Sequence, residues 1–190
     1  MRIYYTRNFS GRGEDSRQLL RMAMDKFIRA ENPEWDASPE EILASIEKGP
    51  KGKPYTSKFP PFSISHSGNL WAVLIDQVEC GLDIQRAQKA KYKALAMRFY
   101  TGDEAVSVFQ KGEKEFFRIW TRREAYRKAK GESVFSEEES VLFDRINDEG
   151  RIWEVKDLRF PLPVYAAVCR ELVPGKSESA DFDRLEIETL

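Results

Sequence analysis

Three short segments of the chain contain residue types that bind phosphate or metal ions. The first is Gly52-Lys53-Pro54, followed by a strand-like run that ends in Ser65-His66-Ser67-Gly68. A lysine in a loop stiffened by Gly and Pro, small hydroxyls, an imidazole and the backbone N–H groups of a Gly turn are all suited to binding phosphate. The alternative interpretation is a polar hairpin turn with a solvated histidine.

The second segment is Gly81-Leu82-Asp83-Ile84-Gln85. In a strand, Asp83 and Gln85 point to one face, while the two apolar residues point to the other. A carboxylate in this position is an oxygen ligand of the kind that Mg²⁺ prefers. The alternative is a half-exposed aspartate that caps the next turn.

The third segment is Phe116–Gly131, in which Trp120, Glu124 and Lys128 fall at i, i+4 and i+8 and so share one face of a helix. This spacing places a metal-binding carboxylate one turn from a cation that could hold a phosphate. The alternative is a surface helix with a solvated Glu124–Lys128 pair, which contributes about a few tenths of a kcal/mol.

In this order, the segments resemble the motifs of the 4′-phosphopantetheinyl transferase superfamily, in its larger two-halved branch typified by the surfactin-type enzymes. The family pattern is GKP, S-H-S, G-[IV]-D-[IV]-E and W-x-x-K-E-A/S-x-x-K, and the match runs from about Gly52 to Gly131. Two positions differ from the family pattern. Gln85 replaces a second acid, and Arg123 replaces a lysine while keeping its charge.

The resemblance implies an enzyme that transfers the 4′-phosphopantetheine group of coenzyme A to a serine of an apo carrier protein and releases 3′,5′-ADP. It implies that Lys53, Ser65 and His66 hold phosphates of coenzyme A, with His66 at the 3′-phosphate. Arg17, in the N-terminal helix, lies where the family places further cations that bind coenzyme A. Asp83 would contact the pyrophosphate through the metal ion.

The resemblance also assigns the metal and the chemistry. It implies that Asp83 and Glu124 ligate Mg²⁺, with Gln85 as a further candidate ligand. Lys128 would hold the phosphate that is transferred. Glu124 would also accept the proton of the incoming serine, directly or through a water molecule.

Two other functions stay open at this point. One is a coenzyme A-binding protein of the same fold that lacks transferase activity, which the neutral Gln85 would suit. The other is a non-catalytic interaction domain, in which the charged helix is only a solvated face.

These residues need a framework of helices and strands. Apolar residues at helical spacing predict a helix over about Glu14–Ala30, and Ser38-Pro39 begins another. Three later helices are predicted over Lys91–Tyr100, Asp103–Gln110 and Glu113–Lys130, the last ended by Gly131. Apolar and alternating patterns predict strands over Met1–Thr6, Phe62–Ser65, Leu70–Asp76, Cys80–Gln85, Val141–Ile146, Ile152–Val155, Val164–Arg170 and Leu185–Thr189.

The order of elements predicts an α+β protein. With the resemblance, the expected fold is a pseudodimer of two similar α/β halves with the active site in the cleft between them. Residues 1–88 would form the N-terminal half with the coenzyme A-binding loops. Residues 89–190 would form the C-terminal half with the helix that carries Glu124 and Lys128.

Composition narrows the class of protein. The chain has 190 residues, 41% of them hydrophobic, and a net charge of −1, which provides no general attraction to nucleic acid or anionic lipid. No apolar run approaches the roughly 18 residues of a membrane span, and the N-terminus is polar. We therefore expect a cytoplasmic protein without nucleic-acid or membrane partners. We also expect a monomer, because the internal pseudodimer that the resemblance implies removes one reason to dimerise. Cys80 and Cys169 are expected to be reduced and buried.

Overall fold

The fold was obtained as a computed structural model, which describes residues 1–49, 52–131, 140–177, 182 and 184–190. The helices are α1 (Gly13–Glu31), α2 (Pro39–Ala44), α3 (Tyr92–Phe99), α4 (Gly102–Lys111) and α5 (Glu113–Lys130). The strands are β1 (Arg2–Thr6), β2 (Glu47–Lys48), β3 (Pro54–Tyr55), β4 (Phe62–Ser67), β5 (Leu70–Ile75), β6 (Cys80–Gln85), β7 (Arg145–Asp148), β8 (Arg151–Asp157), β9 (Tyr165–Glu171) and β10 (Glu186–Thr189).

Two four-stranded sheets form the framework of this α+β protein. The first has the order β10-β1-β5-β4 and the second has the order β6-β9-β8-β7, while β2 and β3 pair separately. All neighbours are antiparallel except β1 and β10. The sheets do not follow the expected division after residue 88, because β6 joins the second sheet and β10 returns to the first.

Each sheet carries one long helix on a face. Apolar residues of α1, such as Met24 and Phe27, pack against Trp71 and other residues of the first sheet. Residues of α5, such as Phe117, pack against Trp153 and other residues of the second sheet. A third apolar cluster contains residues of strands from both sheets, so the two sheets pack against each other through apolar side chains.

Most predicted elements are confirmed within one or two residues, and α5 has the expected bounds. The predicted strand over Val141–Ile146 is wrong in its first part, since β7 begins only at Arg145. The buried Arg122 donates hydrogen bonds to the carbonyl oxygens of Val141 at 2.7 Å and Phe143 at 2.8 Å, which takes these groups out of a strand ladder. The two-residue strands β2 and β3 were not predicted, because they are too short to show a period.

A row of serine hydroxyls joins β4, at the edge of the first sheet, to β6, at the edge of the second. The serine hydroxyls each accept a bond from a backbone N–H, at 3.0 Å for Leu82 to Ser63, 3.1 Å for Ile84 to Ser65 and 3.0 Å for Arg86 to Ser67. The constant separation of 19 residues means that the two strands run in the same direction. We call this line of contact the serine seam.

Two expectations about the whole chain can be compared with the structure. Cys80 and Cys169 are both free and buried, as expected. Among the helices that the structure describes, none combines the length and apolar character that crossing a bilayer requires.

Candidate active site at the serine seam

Helix α5 lies so close to β6 that only a glycine fits between them. A Cβ atom built on Gly81 would lie 1.9 Å from the carbonyl oxygen of Ala125 and 2.5 Å from the backbone nitrogen of Ala129. Gly81 and Asp83 point to the same face of β6 because they are two residues apart. The close approach therefore brings the last turns of α5 to the carboxylate of Asp83.

Asp83, Ser65 and Lys128 form a hydrogen-bonded cluster at this point. Lys128 Nζ lies 2.7 Å from Asp83 Oδ1 and 3.1 Å from Ser65 Oγ, and Ser65 Oγ donates to Asp83 Oδ1 at 2.9 Å. Ser65 Oγ also accepts the N–H of Ile84 in the serine seam. A hydroxyl has one donor hydrogen and two acceptor lone pairs, so the protein itself uses the whole capacity of Ser65. Its expected contact with a phosphate stays a prediction.

The charge of Asp83 is balanced inside the protein. Asp83 is 6% exposed, so the alternative of a half-exposed turn cap is wrong. Burial raises the pKa of Asp83, and the ammonium of Lys128 and the hydroxyl of Ser65 oppose this rise because they stabilise the carboxylate. The side chain of Lys128 is 31% exposed, so the cluster is open to solvent on the lysine side.

The face of α5 that the sequence singled out is the open one. From Ile119 to Ala129 the helix is buried at every position except Trp120, Glu124 and Lys128, which are partly exposed. The alternative of a solvated surface helix is therefore wrong.

The arginines beside this face pair with carboxylates of the protein. Arg123 Nη1 lies 2.6 Å from the buried carboxylate of Glu104, and Arg127 Nη1 lies 3.8 Å from Glu124 Oε1. Arg123, at the position where the family has lysine, therefore directs its charge into the interior and away from the open face.

The donor atoms available for a metal ion are all oxygens. Asp83, Glu124 and the amide of Gln85 offer the hard ligands that Mg²⁺ prefers. Within the described ranges, no three His, Cys, Asp or Glu side chains come together as a ligand group. The Gln85 amide nitrogen donates to the carbonyl of Arg86 at 2.8 Å. By its chemistry this donor set suits a hard divalent cation.

His66 and Arg17 lie outside the hydrogen bonds of this cluster. His66 is exposed on the opposite face of β4 from Ser65, and its ring lies 5.2 Å from that of Phe9. This position is compatible with phosphate binding and also with a solvated hairpin histidine. Arg17 is exposed on α1, with Nη2 3.4 Å from the carbonyl oxygen of Leu43.

Arg86 is a further cation at this end of β4 that was not predicted. Its guanidinium bonds Asn69 Oδ1 at 2.7 Å, beside the turn in which Gly68 has a φ of +61°. Its position directly after the Gly81–Gln85 run was the signal that could have identified it.

Lys53 lies at a different place from the cluster. Its ammonium bonds Glu79 and the carbonyl oxygens of Cys80 and Ala129. It lines a crevice of about 510 Å³ together with residues such as Phe62 and Gly131. Asp83 is three residues farther along β6 than Cys80, which is about 10 Å at the rise of a strand. The role of Lys53 as a phosphate ligand stays a prediction.

Comparison with known proteins supports the resemblance that the motifs indicate. Residues 79–168 match the model of the 4′-phosphopantetheinyl transferase superfamily. The chain is 36% identical over 101 residues to the 4′-phosphopantetheinyl transferase AcpT of Salmonella typhi, which covers 49% of this chain and 53% of that protein. It is 29% identical over 118 residues to the 4′-phosphopantetheinyl transferase psf-1 of Bacillus pumilus, which covers 59% of this chain and 49% of that protein.

A third relative is the 4′-phosphopantetheinyl transferase gsp of Aneurinibacillus migulanus, with 28% identity over 130 residues, 66% of this chain and 53% of that protein. The resemblance to the superfamily is confirmed by these matches. The chain spans about half the length of the curated relatives it matches. Asp83, Glu124 and Lys128 all fall within residues 79–168.

Proposed function

We propose that this protein transfers the 4′-phosphopantetheine group of coenzyme A to a serine of an apo carrier protein and releases 3′,5′-ADP. The observation that carries the proposal is the cluster of Asp83, Ser65 and Lys128, which lies beside the open Glu124 face of α5. Asp83, Glu124 and Lys128 belong to the segment that matches the superfamily.

The proposed reaction is a displacement at phosphorus. The serine oxygen forms a bond to the phosphorus that carries pantetheine, while the bond from this phosphorus to the bridging pyrophosphate oxygen breaks. The electron pair leaves with 3′,5′-ADP, and the serine proton passes to the Glu124 carboxylate, directly or through a water molecule. Such transfers depend chiefly on positioning and on electrostatic stabilisation.

The charged residues in and around the cluster would serve this chemistry in different ways. Asp83 and Glu124 would hold Mg²⁺, which when bound offsets negative charge on the pyrophosphate. Lys128 is on the solvent side of the cluster and would hold an oxygen of the transferred phosphate. His66 and Arg86 would bind other anionic parts of coenzyme A from the end of β4.

The two sheets, each with one long helix, support a pseudodimeric arrangement with the active site where β4, β6 and α5 meet. The serine seam brings the end of β4, which carries Ser65 and His66, next to β6, which carries Asp83.

A second candidate is a coenzyme A-binding protein without transferase activity. It is favoured by the neutral Gln85, whose amide nitrogen bonds a backbone carbonyl. It is also favoured because, among the described residues, no third acidic side chain joins Asp83 and Glu124 in a metal-binding group. The two candidates differ in whether a carrier protein gains mass.

Intact-mass spectrometry of apo carrier proteins decides between them. Acyl, polyketide and peptidyl carrier domains are incubated with coenzyme A, Mg²⁺ and the protein, and a gain equal to one phosphopantetheine group on the carrier serine is expected. Glu124→Gln should remove most of this gain, whereas Glu113→Gln, at the exposed start of the same helix, should keep it. Coenzyme A binding without modification of any carrier would favour the second candidate, and full activity of Glu124→Gln would reject both roles given to Glu124.

A further inference from the structure

The ammonium group of Lys53 is fully engaged inside the protein. Nζ lies 2.5 Å from Glu79 Oε2, 2.8 Å from the carbonyl oxygen of Ala129 and 3.2 Å from that of Cys80. A lysine ammonium has three N–H donors, so these bonds use its whole capacity. Its side chain is only 17% exposed. A phosphate could bind it only if one of these acceptors lost its partner, which is costly in a partly buried place.

The stem of Lys53 packs against the residue that ends α5. Gly131 has a φ of +70°, and a Cβ atom there would lie 3.4 Å from Cβ and Cδ of Lys53. Ala129 is in the last turn of α5, where carbonyl groups lack partners within the helix. The helix dipole also places partial negative charge at this end. Lys53 therefore caps the C-terminal end of α5 from a distant part of the chain.

These bonds connect β6, which carries Asp83, to α5, which carries Lys128. Cys80 begins β6, three residues before Asp83, and Ala129 directly follows Lys128. We propose that Lys53 is a positioning residue that clamps the end of α5 to the start of β6 and so sets the distance between Lys128 and Asp83. In this role it binds no phosphate of coenzyme A. The clamp is a property of the fold, and only its effect on catalysis rests on the proposed function.

The clamp can be tested without any activity measurement. Lys53→Met keeps most of the stem and removes the ammonium, and Lys58→Met makes the same change at an exposed lysine. Hydrogen exchange of the backbone amides at residues 127–131 should become about tenfold faster in Lys53→Met and stay unchanged in Lys58→Met. The melting temperature should fall by roughly 3–8 °C in the first variant only.

Glu79→Ala provides a second variant, which removes one hydrogen-bond partner of Lys53 and leaves the positive charge of Lys53 in place. It should also loosen residues 127–131, and the double variant should lose less stability than the sum of the single losses, because both changes break the same contact. Unchanged exchange in both single variants would overturn the clamp. Glu79→Ala also keeps the test valid if Lys53→Met fails to fold.

The Kd for coenzyme A and the kcat of the transfer together show whether Lys53 is a positioning residue or a phosphate ligand. In Lys53→Met, calorimetry should give a Kd for coenzyme A within about twofold of the original, while kcat falls about tenfold and Lys53→Arg recovers part of the loss. A phosphate ligand would instead raise the Kd by roughly tenfold or more, and Glu79→Ala would bind coenzyme A more tightly. That pattern, or an unchanged kcat, would overturn the proposal. If the original protein modifies no carrier, the proposed function fails, whereas exchange and melting still test the clamp.

Discussion

Lys128 Nζ lies 2.7 Å from Asp83 Oδ1, so the ammonium group neutralises the carboxylate for which a divalent cation would compete. Lys128→Met should therefore make the protein bind Mn²⁺ about fivefold more tightly or better in the absence of coenzyme A, since a nearby positive charge is removed. Titration followed by electron paramagnetic resonance measures this affinity. Lys130→Met is the matched control, because Lys130 pairs with Asp148 and not with Asp83. This substitution should leave the Mn²⁺ affinity unchanged. Equal affinity in all three proteins would place Asp83 outside the metal site.

His66 is expected to bind the 3′-phosphate of coenzyme A from the end of β4. His66→Ala should weaken coenzyme A binding by about 1–3 kcal/mol, the range for a hydrogen bond to a charged group. Dephospho-coenzyme A, which lacks this phosphate, should bind both proteins almost equally. Isothermal titration of the two ligands provides the comparison, and the same loss of affinity for both would show that His66 contacts another part of the molecule.

Gly81→Ala should disturb the cluster through the backbone. The added methyl group would meet backbone atoms of Ala125 and Ala129, so α5 has to move away from β6. We expect a loss of about 1–3 kcal/mol in the free energy of unfolding, the usual range for overpacking, together with reduced transferase activity. Urea denaturation measures the stability.

The control for this substitution is Gly102→Ala, since a Cβ atom at Gly102 meets nothing within 4 Å. Its free energy of unfolding should change by less than about 1 kcal/mol. A stable and active Gly81→Ala variant would contradict the close packing of α5 on β6.

Glu115 should make the stability of the C-terminal helices depend on pH. Hydrogen bonds from Arg118 and from the hydroxyl of Ser107 lower the pKa of Glu115 to about 2, from an ordinary value of 4.5. The ionised form therefore contributes stability above pH 4.5, and this contribution is lost as the pH falls from 4.5 towards 2. Glu115→Gln should cost about 1–3 kcal/mol at pH 7 and progressively less below pH 4.5. Urea unfolding at pH 7 and pH 3 tests this, and a pH-independent difference would contradict it.

Gln85 should influence the Mg²⁺ concentration that the proposed transferase activity requires. Gln85→Glu adds a negative charge on the face of β6 that carries Asp83, so the Mg²⁺ concentration for half-maximal transferase activity should fall several-fold. Gln85→Ala should change it little, because water can take the place of the amide. Titration of activity against Mg²⁺ compares the three proteins. A large loss in Gln85→Ala would identify the amide as a direct ligand, and no gain in Gln85→Glu would place residue 85 beyond the reach of the ion.

The parts of this protein that follow from the sequence are those governed by local chemistry. Apolar spacing predicted α1, and the Gly131 stop predicted the end of α5, since periodicity and a left-handed cap involve only neighbouring residues. Strand alternation also placed Asp83 and Gln85 on one face. The identities of Asp83, Glu124 and Lys128 as candidate site residues came from motif spacing and resemblance alone.

Tertiary structure decided which of these groups meet. No pattern in the sequence indicated that the hydroxyl of Ser65 would form hydrogen bonds with Asp83, Ile84 and Lys128. Nor did any pattern indicate that Lys53 would bond the end of α5, 76 residues away. The same is true of β10, which returns to pair with β1 across the whole length of the chain. Contacts of this kind depend on how sheets and helices pack in three dimensions. Side-chain hydrogen bonds between distant segments follow no periodic pattern that a single sequence displays.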